Sequence, residues 1–279
     1  MSTHNKVSVI IPNYNYAQFV GQAIDSVLNQ TYRNIEIIVV NNGSIDNSLE
    51  VLKGFGNRIY LVDQENLGQS GARRSGLLKA TGDFIAFLDA DDVWEPQKIE
   101  KQMLLFNSKT ELVYCGIRCF DEGSKTQISM HLPRFRGPCD LAFIDNPGIG
   151  IVLSGESTAI FTRALLEKVG GFDPELNSAA GWDFFRRCSK FTNFDFVPEA
   201  LTNYRIHSSN MSKSSMMTIP DIRNAYKKFF EDSEWAMSPK VIRRTITLLE
   251  YTFFKTHLKQ RNFGAALGAG FRVLLPRRY

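Results

Sequence analysis

Over residues 7–115 short apolar runs alternate with amphipathic stretches, and this alternation restricts the chain to few folds. The runs Val7–Ile11, Ile35–Val40, Ile59–Val62, Phe84–Leu88 and Leu112–Cys115 read as strands. Between them Ala17–Asn29, Asn47–Lys53, Gln69–Lys79 and Gln97–Phe106 read as helices. Strand-helix alternation at these lengths predicts an α/β fold with a parallel, doubly wound sheet. The regularity fails after about Gly116, where Gly123, Pro133, Gly137, Pro138 and Pro147 mark a loop-rich connection. A second block holds helix Arg163–Val169, closed by Gly170-Gly171, a helix near Asp183–Lys190, and strands near Phe194–Val197 and Leu201–Ile206. From about Pro220 the pattern is helical. The expected organisation is residues 1–115, 116–215 as a second half of the same domain, and 216–279 as a helical extension.

Open α/β sheets bind ligands at the carboxyl ends of their strands. The fourth run ends there in Asp89-Ala90-Asp91-Asp92, three carboxylates within four positions. Asp89 and Asp91, two apart on leaving a strand, share a side, and hard oxygen ligands of this kind suit magnesium or manganese shared with phosphates. The alternative is an acidic turn with Asp92 capping a helix that begins near Glu95-Pro96. A dinucleotide fold would need a glycine-rich turn after the first strand, but Pro12-Asn13-Tyr14-Asn15-Tyr16 stands there; no Walker sequence is present either.

With 43% hydrophobic and 22% charged residues the chain can bury a substantial core. It shows no signal-peptide core and no apolar run approaching the roughly 20 residues of a bilayer span, so a cytoplasmic location is expected. Cys115, Cys119, Cys139 and Cys188 lack paired metal spacing and read as reduced thiols. Residues 221–279 hold 12 Lys and Arg against 5 Asp and Glu, a net of +7, whereas the preceding part holds 21 against 24, a net of −3. Arg243-Arg244, Lys255, Lys259, Arg261 and Arg277-Arg278 are interleaved with Leu248-Leu249, Phe253-Phe254, Phe263, Phe271 and Leu274-Leu275. Such a stripe suits peripheral contact with an anionic membrane, packing on the rest of the chain, or a homodimer contact. No nucleic-acid partner is expected.

Four ordered motifs, Val7–Asn15, Val39–Ser44, Asn66-Leu67-Gly68 with Ala72-Arg73, and Leu88–Asp92, resemble the nucleotide-binding half of family 2 glycosyltransferases. Val169–Asp173 and Tyr204–Asn210 extend the resemblance over roughly residues 6–212. It implies a GT-A fold and metal-assisted, inverting transfer from a nucleotide-diphosphate sugar, with Mg2+ or Mn2+, to a saccharide or polyprenyl-linked acceptor of the O-antigen or capsule kind. Pro12 and Tyr14 would wall the nucleoside, the Asn41-Asn42 turn would meet the base edge, with Asn42 accepting from it, Arg73 would contact the nucleotide, Asp89 would hold the ribose, and Asp91 the metal. Arg205 and His207 share one face of a strand, Arg205 for the diphosphate and His207 as a further metal ligand.

The chain departs from this family twice. Asn41-Asn42 stands where two aspartates are usual, which weakens a hydrogen bond to a uracil N–H by about 1 kcal/mol while leaving UDP- and TDP-sugars favoured. Gly181 takes the place of the usual catalytic aspartate, leaving Asp183 as the nearest base and Glu156 in reserve. Asp183 also has the four-residue spacing to Arg187 of a helix ion pair. Trp182 would stack on the acceptor sugar or join the core. These departures motivate a competing reading, a nucleotide-sugar-binding or scaffolding protein with a degenerate site.

Overall fold

The computed structural model describes residues 5–139, 142–143, 152, 155–208, 210, 215–232, 237–259 and 261–274; Pro147, Ser209, Leu275 and Arg277-Arg278 lie outside them. Four parallel strands form the first half: β1 (Val7–Asn13), β2 (Ile35–Asn42), β3 (Tyr60–Gln64) and β4 (Phe84–Phe87), in the order β3-β2-β1-β4. Helices α1 (Ala17–Leu28), α2 (Ser48–Lys53) and α3 (Gly68–Leu77) connect them. Both faces of these strands are covered, as continuous apolar runs require. Ile10, Ile38, Val40, Ile85 and Phe87 pack with Ala72 of α3, while Val9, Ile11, Val39 and Ala86 pack with Val20 and Ile24 of α1.

Beyond β4 the sheet becomes mixed, continuing β4-β8-β6-β9-β5 with β7 on β6. Here β5 is Val93–Trp94, β6 Thr110–Asp121, β7 Gln127–His131, β8 Ile160–Thr162 and β9 Asn193–Ile206. Helix α4 (Lys98–Met103) precedes β6; α5 (Arg163–Val169) and α6 (Ala180–Cys188) lie between β8 and β9. The expected strand at Leu112–Cys115 is the core of the longer β6, which runs past residue 115, so the two halves share one sheet. The two expected strands around residues 194–206 are one, because β9 passes Pro198 through a register irregularity opposite Gly116. A Cβ on Gly116 would lie 2.7 Å from the His131 carbonyl oxygen and 3.0 Å from that of Glu199, which is why glycine stands at this bend.

Three helices follow: α7 (Ser215–Glu231), α8 (Pro239–Lys259) and α9 (Phe263–Leu274). The fully buried Glu250 carboxylate ties them together, accepting hydrogen bonds from Arg223 and from Arg272. The apolar stripe divides: Leu249 and Phe253 enter this small core, whereas Phe263, Leu267 and Phe271 are 64, 64 and 65% exposed. Among the described residues no helix is long and apolar enough to cross a membrane. All four cysteines are free and buried.

Candidate functional site

Strand register brings three segments to the carboxyl end of β4. Strand β8 is antiparallel to β4, with Ala86 opposite Ile160, so residues before β8 run alongside those after β4. The turn Gly155–Thr158 therefore meets the acidic tip, and Asp89 N–H donates to Ser157 Oγ at 3.1 Å. Strand β5 is antiparallel to β9, with Val93 opposite Asn203, which carries the end of β9 to the same place. There the Arg205 N–H donates to Asp92 Oδ1 and its Nε–H to the Asp91 carbonyl. Asp92 is thus engaged by β9 rather than capping α4, whose N-cap position is Gln97.

Asp91 Oδ2 lies 3.0 Å from His207 Nε2 and 3.4 Å from Asn210 Nδ2, and the imidazole is walled by Tyr16 and Phe19. Asp89 is 3.8 Å from Arg73, whose buried guanidinium also lies 2.8 Å from Glu156 Oε1. Burial, followed by the charges of Asp91 and Asp89, pushes the Asp92 carboxyl well above the usual carboxylate range. Burial also raises Asp89; Arg73 opposes it, and the neighbouring Glu156 and Asp91 add to the rise. Burial and the neighbouring acids together make ionising Asp89 and Asp92 side by side carry a free-energy cost. A cation would relieve it. Cis ligands about 2.1 Å from an octahedral ion are about 3 Å apart, the spacing of Asp91 Oδ2 and His207 Nε2. Among the described residues no group of three or more His, Cys, Asp and Glu gathers into a closed metal site. Two protein ligands suit an ion that shares its shell with phosphate and water.

The other expected site residues divide. Pro12 ends β1 half-buried, and Tyr14 at the lip is 45% exposed. Asn42 is occupied within the protein: its Oδ1 accepts from Gln64 Nε2 and Leu67 N, and its Nδ2 donates to Asn66 Oδ1 and the Gly68 carbonyl. Both lone pairs are taken, so the expected acceptor for a base N–H is not free; Asn42 instead shapes the loop entering α3, a task that needs the amide donors an aspartate lacks. Arg205 is likewise internal. It donates to Glu122, Gln22 and the Asp91 carbonyl and lies between the Phe19 and Phe120 rings, so it braces the acidic tip rather than reaching a diphosphate. Asn41, expected with Asn42 to meet the base, and Asn13, which the sequence reading missed, are register partners on β2 and β1 whose Oδ1 atoms are buried without a hydrogen-bond partner. A polar residue closing an otherwise apolar strand was the available signal.

Asp183 does not have the surroundings of a base. It is 3% exposed on α6, with Oδ1 accepting from Arg186 and Oδ2 from Arg187, and Arg187 also donates to the Val169 and Gly171 carbonyls. The pair fastens α6 to the end of α5, where Gly170 adopts φ +83°. Trp182 is not an acceptor floor: Tyr226 of α7 stacks on it at 4.3 Å, and Phe143 and Phe229 meet it at steep angles. It joins the helical extension to the catalytic half. At Gly181, an added Cβ would lie 2.6 Å from Glu156 Oε1.

Residues 8–170 match the family description Glycosyl transferase family 2. An uncharacterized glycosyltransferase of Rickettsia prowazekii (strain Madrid E) is 31% identical over 228 residues, covering 81% of this chain and 71% of its own. One from Nostoc sp. is 36% identical over 219 residues, covering 75% and 67%. Among solved structures, Staphylococcus aureus TarS 1–349 with UDP-GlcNAc superposes with TM-score 0.66 at 18% identity, covering 91% of this chain and 73% of that one. The mannosyltransferase PcManGT of Pyrobaculum calidifontis, with GDP-Man and Mn2+, gives 0.63 at 18%, covering 96% and 74%. A longer TarS chain is spanned over only 43% of its length. At such identities the structural likeness establishes the GT-A fold, while the family match and the two relatives establish that the chain belongs to glycosyltransferase family 2.

Proposed function

We propose that this glycosyltransferase moves a sugar from a nucleoside-diphosphate sugar to a hydroxyl of a saccharide or lipid-linked saccharide, with inversion and with Mg2+ or Mn2+ bound at Asp91 and His207. The observation that carries the reading is the 3.0 Å approach of Asp91 Oδ2 and His207 Nε2 at the tip of β4. A bound divalent ion would supply charge neutralisation for the departing diphosphate. Asp89, partly open beside Asp91, is suited to accept hydrogen bonds from ribose hydroxyls. Arg73 keeps the Asp89 side of the cleft cationic, and Pro12 and Tyr14 form a wall for the nucleoside. UDP- and TDP-sugars head the expected donors, and the unpaired Oδ1 atoms of Asn13 and Asn41 are acceptors for a base N–H. The donors bound by the structural neighbours, UDP-GlcNAc and GDP-Man, widen the set to be tried.

The exposed Phe263, Leu267 and Phe271 beside the basic C-terminal helices support peripheral contact with an anionic membrane carrying polyprenyl-linked acceptors, as in O-antigen or capsule assembly. Turnover of a nucleotide-sugar panel with Mn2+ and with EDTA tests the proposal. Donor consumption that requires the metal is expected; absence of turnover with every donor would refute it, and Mn2+-dependent nucleotide binding by calorimetry without turnover would favour the degenerate-site reading.

A further inference from the structure

The carboxylate missing from position 181 is supplied from elsewhere in the chain. Glu156 stands in the short turn before β8, and the antiparallel register of β4 and β8 brings that turn to the acidic tip. Its carboxyl group fills the volume a side chain on Gly181 would need: an added Cβ there would lie 2.6 Å from Oε1, 2.7 Å from Cδ and 2.9 Å from Oε2. Glycine at the start of α6 is therefore a condition for Glu156 to sit where it does. Arg73 fixes the other side, with a terminal nitrogen 2.8 Å from Glu156 Oε1 and 3.8 Å from Asp89. That contact lies off the hydrogen-bond direction, so Oε1 is a buried acceptor without a hydrogen bond. A buried carboxylate oxygen left in this state is unusual and invites a donor.

Asp89 is 30% exposed and is assigned above to the ribose, and the other carboxylates of this region each have a partner. Asp91 meets His207, Asp92 accepts from Arg205 N–H, and both oxygens of Asp183 are held by arginines. Resting on the glycosyltransferase reading above, we infer that Glu156 is the general base of the transfer, and that Gly181 is the specificity-neutral gap that admits it. The acceptor hydroxyl oxygen forms its bond to the anomeric carbon of the donor as the bond from that carbon to the diphosphate oxygen breaks. The bonding electrons leave with the diphosphate, and the hydroxyl proton passes to the Glu156 carboxylate. Arg73, 2.8 Å from Oε1, holds that carboxylate in place beside the donor.

The test uses the full chain with a donor and acceptor that the wild type turns over, and reads kcat, donor KM and thermal midpoint together. Glu156→Gln keeps shape and removes the base; kcat should fall about 10^3-fold, within the range of general-base contributions, with donor KM within about threefold of wild type. Gly181→Ala should lower kcat by displacing Glu156 without removing it. In the exchange variant Glu156→Ala/Gly181→Asp, the carboxylate returns from the other side of the same gap and should recover at least about tenfold over Glu156→Ala. Glu156→Gln with kcat within threefold of wild type, or a loss confined to donor KM, overturns the assignment and reduces Glu156 to an anchor for Arg73. An exchange variant no better than Glu156→Ala overturns the shared-volume argument. A wild-type chain that turns over no donor removes the glycosyltransferase reading itself, and this inference with it.

Discussion

The sheet has two charged ends, and they are built on opposite principles. At the amino end of β1 and β2, Glu36 lies in register with Ser8 and accepts hydrogen bonds from the Ser8 hydroxyl, the Thr81 N–H and hydroxyl, and the Gly82 N–H, with Lys6 Nζ at 2.5 Å. At the carboxyl end, Asp89, Asp91, Asp92 and Glu156 crowd together, and Arg73 is the nearest cation to two of them. Burial opposes ionisation of Glu36, but its partners outweigh burial and hold the carboxyl down at about 2. Burial raises Asp89 and Asp92, Arg73 opposes the rise at Asp89, and the neighbouring carboxylates add to it at both. The Glu36 carboxylate is surrounded by donors, whereas four carboxylates at the carboxyl end share few cations, as the proposed metal and diphosphate site requires.

The largest effect should follow from breaking the unsatisfied end. Asp91→Ala is expected to lower metal-dependent turnover about 10^3-fold, or about 4 kcal/mol of transition-state stabilisation. It should leave thermal stability close to wild type, because it also removes a like charge that crowds Asp89 and Asp92. Steady-state kinetics beside differential scanning calorimetry would show this split. A variant that unfolds would mean that Asp91 belongs with Glu36 among the structural carboxylates.

How much of this was readable beforehand depended on where the partners lie in the chain. Strands β1, β2 and β4 came out within a residue or two because each is a run buried on both faces and bounded by a turn, and the edge strand β3 came out as closely from its apolar Ile59–Val62 run. Strand β7 escaped because its alternation is only two apolar residues long, Ile128 and Met130, both exposed, and β8 because three residues leading straight into a helix give no period. The site behaved alike. Asp89, Asp91, Arg73 and His207 announce themselves by local motif, and the structure brings them together. Arg205 could not be read locally, since its partners Glu122 and Gln22 lie 83 and 183 residues away. Glu156 could be named only as a reserve base, because its place at the acidic tip depends on the antiparallel entry of β8 beside β4.

Asp183 is a carboxylate of the first kind lying close to the second, and its removal should be felt in stability. Asp183→Ala removes one carboxylate partner of the buried Arg186, which keeps its contact with Asp232. Removing one partner of a buried pair costs about 3–5 kcal/mol, and the remaining Asp232 contact argues for about 3. Urea unfolding should show that loss, while kcat per folded molecule stays within about threefold of wild type. A large fall in kcat with unchanged stability would return Asp183 to the chemistry and set aside Glu156.

The smallest effect belongs to the satisfied end, where the comparison can be read by pH alone. Glu36 has an ordinary value of 4.5 and a folded value of about 2, so the folded state favours the ionised form. Its contribution is present in full above pH 4.5 and is lost as pH falls through that interval toward 2. Because the group is partly open to solvent, Glu36→Gln should cost only about 1 kcal/mol at pH 7, the net worth of a hydrogen bond to a charged group after screening. The difference in urea midpoint between wild type and Glu36→Gln should therefore be largest at neutral pH and close steadily below pH 4.5. A difference that persists undiminished to pH 2 would mean that Glu36 acts through shape and neutral hydrogen bonds, and the contrast between the two ends would rest on packing instead of charge.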